Sequence, residues 1–209
     1  MKKTPKKRAY DVEGRRTAAE QRKQRILDAA KRLFARRGID DVTIAEIAEQ
    51  AEVAGSTVYA VFASKAGILR ELMRRAMFNP EYEVHAARLK AVRDPVARVR
   101  MTAAIARSIY EGERNELAVL RGASAFSREL RDVENEFEGE RLALQRERVV
   151  DLADQGLLRP ELTVERARQV MWMFTSREVF RMLVTESGWT PDEYETWLAD
   201  TLVRTLTRA

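Results

Sequence analysis

Residues 43–65 read TIAEIAEQAEVAGSTVYAVFASK, and this stretch decides the fold. Thr43-Ile-Ala-Glu46 is a capping box, in which a hydroxyl and a carboxylate satisfy each other's free backbone amides. It opens a short helix whose inner face is Ile44, Ile47, Ala48 and Ala51. A turn follows, then a second short helix from about Ala54 to Phe62. Ser64 caps a longer helix carrying Ile68, Leu69, Leu72, Met73 and Ala76. A helix as short as 54–62 does not stand alone in water. As the second helix of a helix-turn-helix it has the right size to enter a DNA major groove.

Upstream, the charge is lopsided. Residues 1–37 hold 14 Lys/Arg and 4 Asp/Glu, net +10, while the rest of the chain is net −5. Positive charge gathered beside a helix-turn-helix points to phosphate binding. Residues 1–16, MKKTPKKRAYDVEGRR, show no apolar period and read as a disordered basic arm. Thr17-Ala-Ala-Glu20 fits a capping box for the first helix. Its apolar face is Ile26, Ala29, Ala30, Leu33 and Phe34, and Gly38 is its stop.

The totals exclude several chemistries. At 209 residues the chain buries about 70% of its unfolded surface without staples. It has no cysteine, which removes disulfides, zinc-thiolate sites and cysteine nucleophiles, and makes a reducing, cytoplasmic setting the expectation. One histidine, His85, removes most hydrolase triads and multi-histidine metal sites; it reads as solvent-exposed. No glycine-rich phosphate loop or paired carboxylate site is evident, so no enzyme, cofactor or metal is expected. No apolar run approaches the roughly 18 residues a membrane span needs, and the basic start lacks a signal peptide's apolar stretch.

Downstream, Asn79-Pro80 breaks the helix that Ser64 opens, and residues 81–93 read either as a charged helix or as a linker. Val96, Val99, Ala103, Ala106 and Ile109 form one helical face ending near Gly112, with a short helix at about 115–121 next. Helices at about 127–155, 163–187 and 191–208 complete the chain. The last opens Thr190-Pro191-Asp192-Glu193, with cap, first-turn proline and acidic N3 in place. No segment alternates as a strand. The expected class is all-α with about nine helices: a helix-turn-helix domain at 17–63 and a larger helical domain at 64–209, with 64–78 as connecting helix.

Three helices ending in T-V-Y-x-x-F-x-S-K, followed by a helical body, resemble the tetracycline-repressor (TetR/AcrR) family of bacterial transcription regulators. The matching residues lie at about 20–70 and include Ala29-Ala30, Leu33-Phe34, Gly38, Thr43, Ile47-Ala48, Thr57, Tyr59, Phe62, Ser64 and Lys65. The resemblance implies a homodimer that binds a palindromic operator through its amino-terminal domains and a small-molecule effector through its carboxy-terminal ones. It also implies phosphate contacts from Thr43, Thr57, Tyr59 and Lys65, a role that hydroxyls and an ammonium suit.

Three positions depart from the family's pattern. Glu52 stands where the turn's glycine is usual, at a position that often wants positive φ. Ala54 stands where a capping serine is common, a loss of about 1 kcal/mol. Gly55 occupies a position that often reads bases, so Ala54, Gly55 and Ser56 offer little for bidentate base contacts. Discrimination is therefore expected to lean on Ser56, on arm arginines such as Arg15 and Arg16, and on DNA shape.

The last helices suggest a second role. Val170-Met-Trp-Met-Phe174 is apolar all round, and Tyr194, Trp197, Leu198, Leu202 and Leu206 form a stripe on the final helix. With the family's usual four-helix dimer in view, Val170, Met173, Tyr194, Trp197, Leu198 and Leu202 are candidate interface residues; a large monomer core would need the same stripe. Met101, Ile105, Tyr110 and Phe126 supply apolar and aromatic surface for a pocket, as do Phe137, Leu144, Trp172 and Phe174. Ordinary packing would use them equally well. Arg107, Arg121 and Arg177 stand in apolar surroundings, where they face either an anionic ligand or another helix. The expected function is a ligand-responsive DNA-binding regulator, a repressor released by its effector. The alternative is a non-specific binder of nucleic acid or anionic surfaces through the basic arm.

Overall fold

The computed structural model describes residues 6–123 and 127–208. Its elements in order are α1 (Lys6–Arg37), α2 (Ile44–Gln50), α3 (Gly55–Phe62), α4 (Lys65–Met77) and α5 (Pro80–Ala91). There follow α6 (Pro95–Ala123), α7 (Arg128–Asp154), α8 (Val164–Phe174), α9 (Arg177–Phe180, passing into a π-helical turn at Arg181–Glu186) and α10 (Pro191–Leu206). Among the described residues the single β feature is an isolated bridge between Leu158 and Thr207. The all-α expectation holds. By contacts the chain divides into two compact units, one of residues 1–72 and 119–133, the other of 73–118 and 134–209.

In the first unit, Ile26, Leu27, Ala29, Ala30, Leu33 and Phe34 recur at helical spacing and are all buried. They share a core with Ile47, Ala48, Ala51, Val58, Phe62, Ile68, Leu69 and Leu72. Ile44, expected on the inner face of α2, is only half-buried. The amino terminus differs from expectation. Residues 6–16 belong to α1, and residues 1–5 lie outside the described part of the chain. Lys, Arg, Ala and Glu are good helix formers, and extending an existing helix adds one hydrogen bond per residue fixed. Residues 14–20, which show no apolar period, are exposed throughout. Thr17 and Glu20 therefore sit inside a helix rather than at its start.

In the second unit, Asn79 settles residues 80–91 as helix. Its side-chain oxygen accepts from the Tyr82 amide (2.9 Å) and its amide nitrogen donates to the Ser108 carbonyl (2.9 Å). Pro80 takes the first helical position, where its missing N–H costs nothing. Gly112 does not stop a helix; α6 runs through it without a break. A Cβ there would lie 2.1 Å from the Ala76 carbonyl oxygen, so glycine serves close approach of two backbones. The helix expected over 163–187 is broken at Thr175-Ser176, where Ser176 caps α9. α10 opens as expected: the Thr190 hydroxyl accepts from the Glu193 amide (3.2 Å), and Glu193 accepts from the Thr190 amide (2.7 Å).

Candidate nucleic-acid interface and ligand cavity

The turn between α2 and α3 is a Schellman motif. The Val53 amide donates to the Ala48 carbonyl and the Glu52 amide to the Glu49 carbonyl, each at 3.0 Å. Glu52 takes the left-handed position at φ 55°, which glycine would occupy without strain. Ala54 precedes α3 with no side-chain cap. Both departures seen in the sequence thus fall where backbone geometry feels them.

α3 is held from behind and open in front. Val58 and Phe62 anchor it in the core, while Ser56, Tyr59 and Ala60 form an exposed face at i, i+3 and i+4. Tyr59 is a large side chain left 57% exposed. Phe62, which a sequence cannot assign to surface or core, is core. Gly55 has nothing within 4 Å of where a Cβ would stand, so no atom of this chain requires a glycine there.

The exit from α3 is strained. Ala63 has φ 61° and ψ −34°, and the Ser64 amide donates to the Phe62 carbonyl at 2.7 Å, closing a γ-turn of the disfavoured hand. Ser64 Oγ then accepts from the Gly67 amide at 3.1 Å to start α4. A Cβ on Gly67 would lie 1.9 Å from the Phe62 carbonyl oxygen. The positioning of α3 against α4 therefore depends on glycine at 67, a requirement no sequence motif exposed.

Thr43 is exposed at the start of α2 and completes its capping box with Glu46. Glu46 also receives Arg37 Nη1 at 2.7 Å, while Arg37 Nη2 donates to the Asp41 carbonyl. The Thr43 amide and then Arg37 hold the Glu46 carboxyl well below the ordinary range, at about 2. Arg15 and Arg16 are exposed on α1 rather than on a loose arm, and Thr57 is half-buried. Lys65, expected to meet a phosphate, is half-buried and also reaches back to the chain. Its ammonium donates to the carbonyls of Ile39 (2.8 Å) and Asp40 (3.4 Å) and lies 3.9 Å from Glu129. Its two hydrogen bonds to these carbonyls tie down the 38–41 turn.

The second unit contains a cavity of about 590 Å³, its mouth included. One wall is apolar: Met77, Phe78, Ile105, Ala106 and Ile109. The facing stripe of α7 carries Phe137, Arg141, Leu144, Gln145 and Arg148, at spacings of four, three, one and three. Of the residues expected to line a pocket, Ile105, Tyr110, Phe137 and Leu144 do so. Met101 does not. Nor do Trp172, whose Nε1 donates to Glu138 at 2.9 Å, and Phe174, which packs edge-on to Trp197 at 6.2 Å. Phe126 lies outside the described residues. The polar members Tyr82, Arg141, Gln145 and Arg148 escaped sequence reasoning because a charged helix gives no sign of which charges turn inward.

Arg107 and Arg177, for which two roles were open, are helix ties. Arg107 reaches Glu111 (3.0 Å), Asp192 (2.5 Å) and Glu195 (2.9 Å). Arg177 holds Glu113 with two bonds (2.7 and 3.2 Å). His85 is half-buried on α5. Tyr194, Leu198 and Leu202, expected at an interface between copies, are each 0% exposed. The stripe of α10 faces its own unit, with Tyr194 edge-on to Phe180 at 5.0 Å; periodicity reports burial without saying by what. Met173 (49% exposed) and Trp172 (38%) on α8 are what the surface keeps, with Val170 and Trp197 half-buried beside them in type.

Residues 26–72 match the family model of bacterial regulatory proteins of the tetR family, the segment that holds the three-helix core and α3. Over this amino-terminal segment the chain is similar to the tetR family. Its fold is similar to that of NalD from Pseudomonas aeruginosa, the secondary repressor of the MexAB-OprM multidrug efflux pump (TM-score 0.68, 22% identity, 92% of this chain and 98% of that one). It is also similar to FadR from Bacillus subtilis in complex with stearoyl-CoA (0.65, 23%, 87% and 98%). The fatty acid degradation regulator FadR from Bacillus halodurans is a third such structure (0.60, 19%, 87% and 94%). No curated protein matches the chain in sequence. Family and structural neighbours are regulators of transcription, not enzymes. Among the described residues no helix is long and apolar enough to cross a membrane.

Proposed function

We propose that this chain is a ligand-responsive transcriptional repressor of the tetR family that binds a palindromic operator as a homodimer and is released by a small-molecule effector. The observation that carries the reading is the exposed face of α3: Ser56, Tyr59 and Ala60 stand outward on a helix whose other side is locked by Val58 and Phe62. A short helix presented this way fits a major groove, and Thr43, Thr57, Tyr59, Arg15 and Arg16 supply the hydroxyls and cations that meet phosphates around it. Lys65 serves this surface from behind, by fixing the 38–41 turn.

The domain at 17–63 carries DNA binding and residues 64–209 carry effector binding and dimerisation. Met173 and Trp172 on α8, with Val170 and Trp197, are the residues offered to a second copy. A two-fold dimer spaces its recognition helices by about 34–36 Å, one turn of DNA. The stearoyl-CoA complex of FadR supports the reading of the cavity as an effector site. α4 carries Met77 in the cavity wall and, at its other end, Gly67 against Phe62 of α3. An effector that favours a different position of α4 from the one DNA favours lowers operator affinity, and DNA lowers effector affinity by the same factor.

Selection of the purified full chain on random duplex DNA tests the proposal. The expected product is one motif with two-fold symmetry and half-sites about 10 base pairs apart. Enrichment of no motif, with binding that is only salt-dependent, would replace it with non-specific binding through the basic amino terminus.

A further inference from the structure

Three polar groups on the cavity lining have no hydrogen-bond partner among the described residues: the Gln145 oxygen, the Arg148 guanidinium and Arg141 Nε. Gln145 is 2% exposed; its amide nitrogen donates to Thr175 Oγ1 at 2.7 Å, but its Oε1 is buried and has no hydrogen-bond partner among the described residues. An orphaned buried acceptor is costly and calls for a donor. Arg148, three residues on and on the same stripe of α7, makes no hydrogen bond and no ion pair among the described residues, and burial pushes its pKa down. Arg98, itself paired with Asp151, adds repulsion, and Glu147 adds an opposing attraction.

The neighbouring polar groups are otherwise committed, with Arg141 Nε the exception. Arg141 donates to Thr175 Oγ1 (2.6 Å) and to the carbonyls of Thr175 and Trp172 (each 3.1 Å), and pairs with Glu138. The Tyr110 hydroxyl donates to the Thr175 carbonyl at 2.7 Å. Facing the apolar wall are the Arg148 guanidinium, with no hydrogen bond or ion pair among the described residues, and the Gln145 oxygen with no donor; the exposed Glu140 lies on the same lining. A guanidinium matches a planar carboxylate with two parallel bonds, and low dielectric strengthens that match.

We propose that the cavity takes an amphipathic carboxylate: its apolar body against Met77, Phe78, Ile105 and Ile109, its anionic group on Arg148, and a hydroxyl or N–H near that group donating to Gln145. This rests on reading the cavity as the effector site, and it adds the chemical class of the effector. Positions three apart on one helix face lie about 5–6 Å apart at their Cβ atoms, so the ligand's donor belongs within a few bonds of its carboxylate.

Calorimetry on the full chain without DNA tests this, with decanoate, 3-hydroxydecanoate and 1-decanol as probes. Decanoate is expected to bind about tenfold to a hundredfold more tightly than decanol, the usual worth of a charge-assisted bond, and the 3-hydroxy acid more tightly still. Arg148→Met is expected to erase the preference for the acid over the alcohol, and Arg148→Lys to keep part of it. Gln145→Met is expected to remove only the advantage of the hydroxyl. Equal binding of acid and alcohol by the unaltered chain, or binding of neither, overturns the proposal, and this readout needs no mutant to fold. Because DNA is absent from the assay, that failure leaves the operator-binding reading standing; acid binding by a chain that selects no operator overturns that reading alone.

Discussion

Glu52→Gly isolates the conformational cost of the helix-turn-helix turn. Glu52 is exposed and held at φ 55° by the two hydrogen bonds of the Schellman motif, so the change removes a left-handed side chain and no packed contact. A non-glycine residue in that region costs about 1–2 kcal/mol. Glycine gives back roughly 0.4–1 kcal/mol through the freedom it adds to the unfolded chain. The net expectation is a gain of about 0.5–1 kcal/mol, or roughly 1–4 °C for a chain of this size. All three tryptophans, Trp172, Trp189 and Trp197, lie in the other unit, so fluorescence does not report on this one. Urea unfolding by far-ultraviolet circular dichroism, with hydrogen exchange at the Val58 and Phe62 amides, reads the right segment. Glu52→Ala separates strain from charge: it keeps the left-handed side chain and is expected to gain nothing. A Glu52→Gly midpoint equal to or below that of the unaltered chain would refute the reasoning.

Two glycines separate internal from external need. Gly67→Ala places a Cβ 1.9 Å from a backbone oxygen and is expected to cost on the order of 1–3 kcal/mol or more in urea unfolding. Gly55→Ala meets nothing within 4 Å and is expected to stabilise by about 0.5–1 kcal/mol, yet to weaken binding to the selected operator, measured by fluorescence anisotropy. Glu46 gives a pH signature. Its carboxyl is lowered from 4.5 to about 2, so its contribution is complete above pH 4.5 and fades as pH falls toward 2. The gap in urea midpoint between the unaltered chain and Glu46→Gln is expected to shrink from pH 6 to pH 3.

The sequence carried the amino-terminal domain nearly whole, because each signal there was local: a capping box at Thr43, a serine before α4, and apolar residues at helical spacing. It misled where local signals stand apart from context. Thr17 and Glu20 have capping chemistry but lie within a longer helix, and Gly112 resembles a stop but serves close approach to Ala76. The α10 stripe was read toward a partner, and Tyr194, Leu198 and Leu202 instead face their own unit, since a period of 3.6 states only that a face is covered. Lys65 matched a motif by position, and nothing in that motif signalled its hydrogen bonds to the Ile39 and Asp40 carbonyls. Inward charges such as Arg148 left no trace in a helix that is charged along its length.

The central claim is that the outward face of α3 distinguishes one DNA sequence from others. The direct measurement is the ratio of affinities for the selected operator and for a scrambled duplex, across a salt series, for the unaltered chain and for Ser56→Ala and Tyr59→Ala. Both substitutions are exposed and spare the core. The account predicts a ratio of about a thousandfold or more at physiological salt for the unaltered chain, reduced at least fivefold by one of the two changes while the scrambled-duplex salt slope shifts by no more than about one unit. A ratio near one, or one that neither substitution alters, contradicts it.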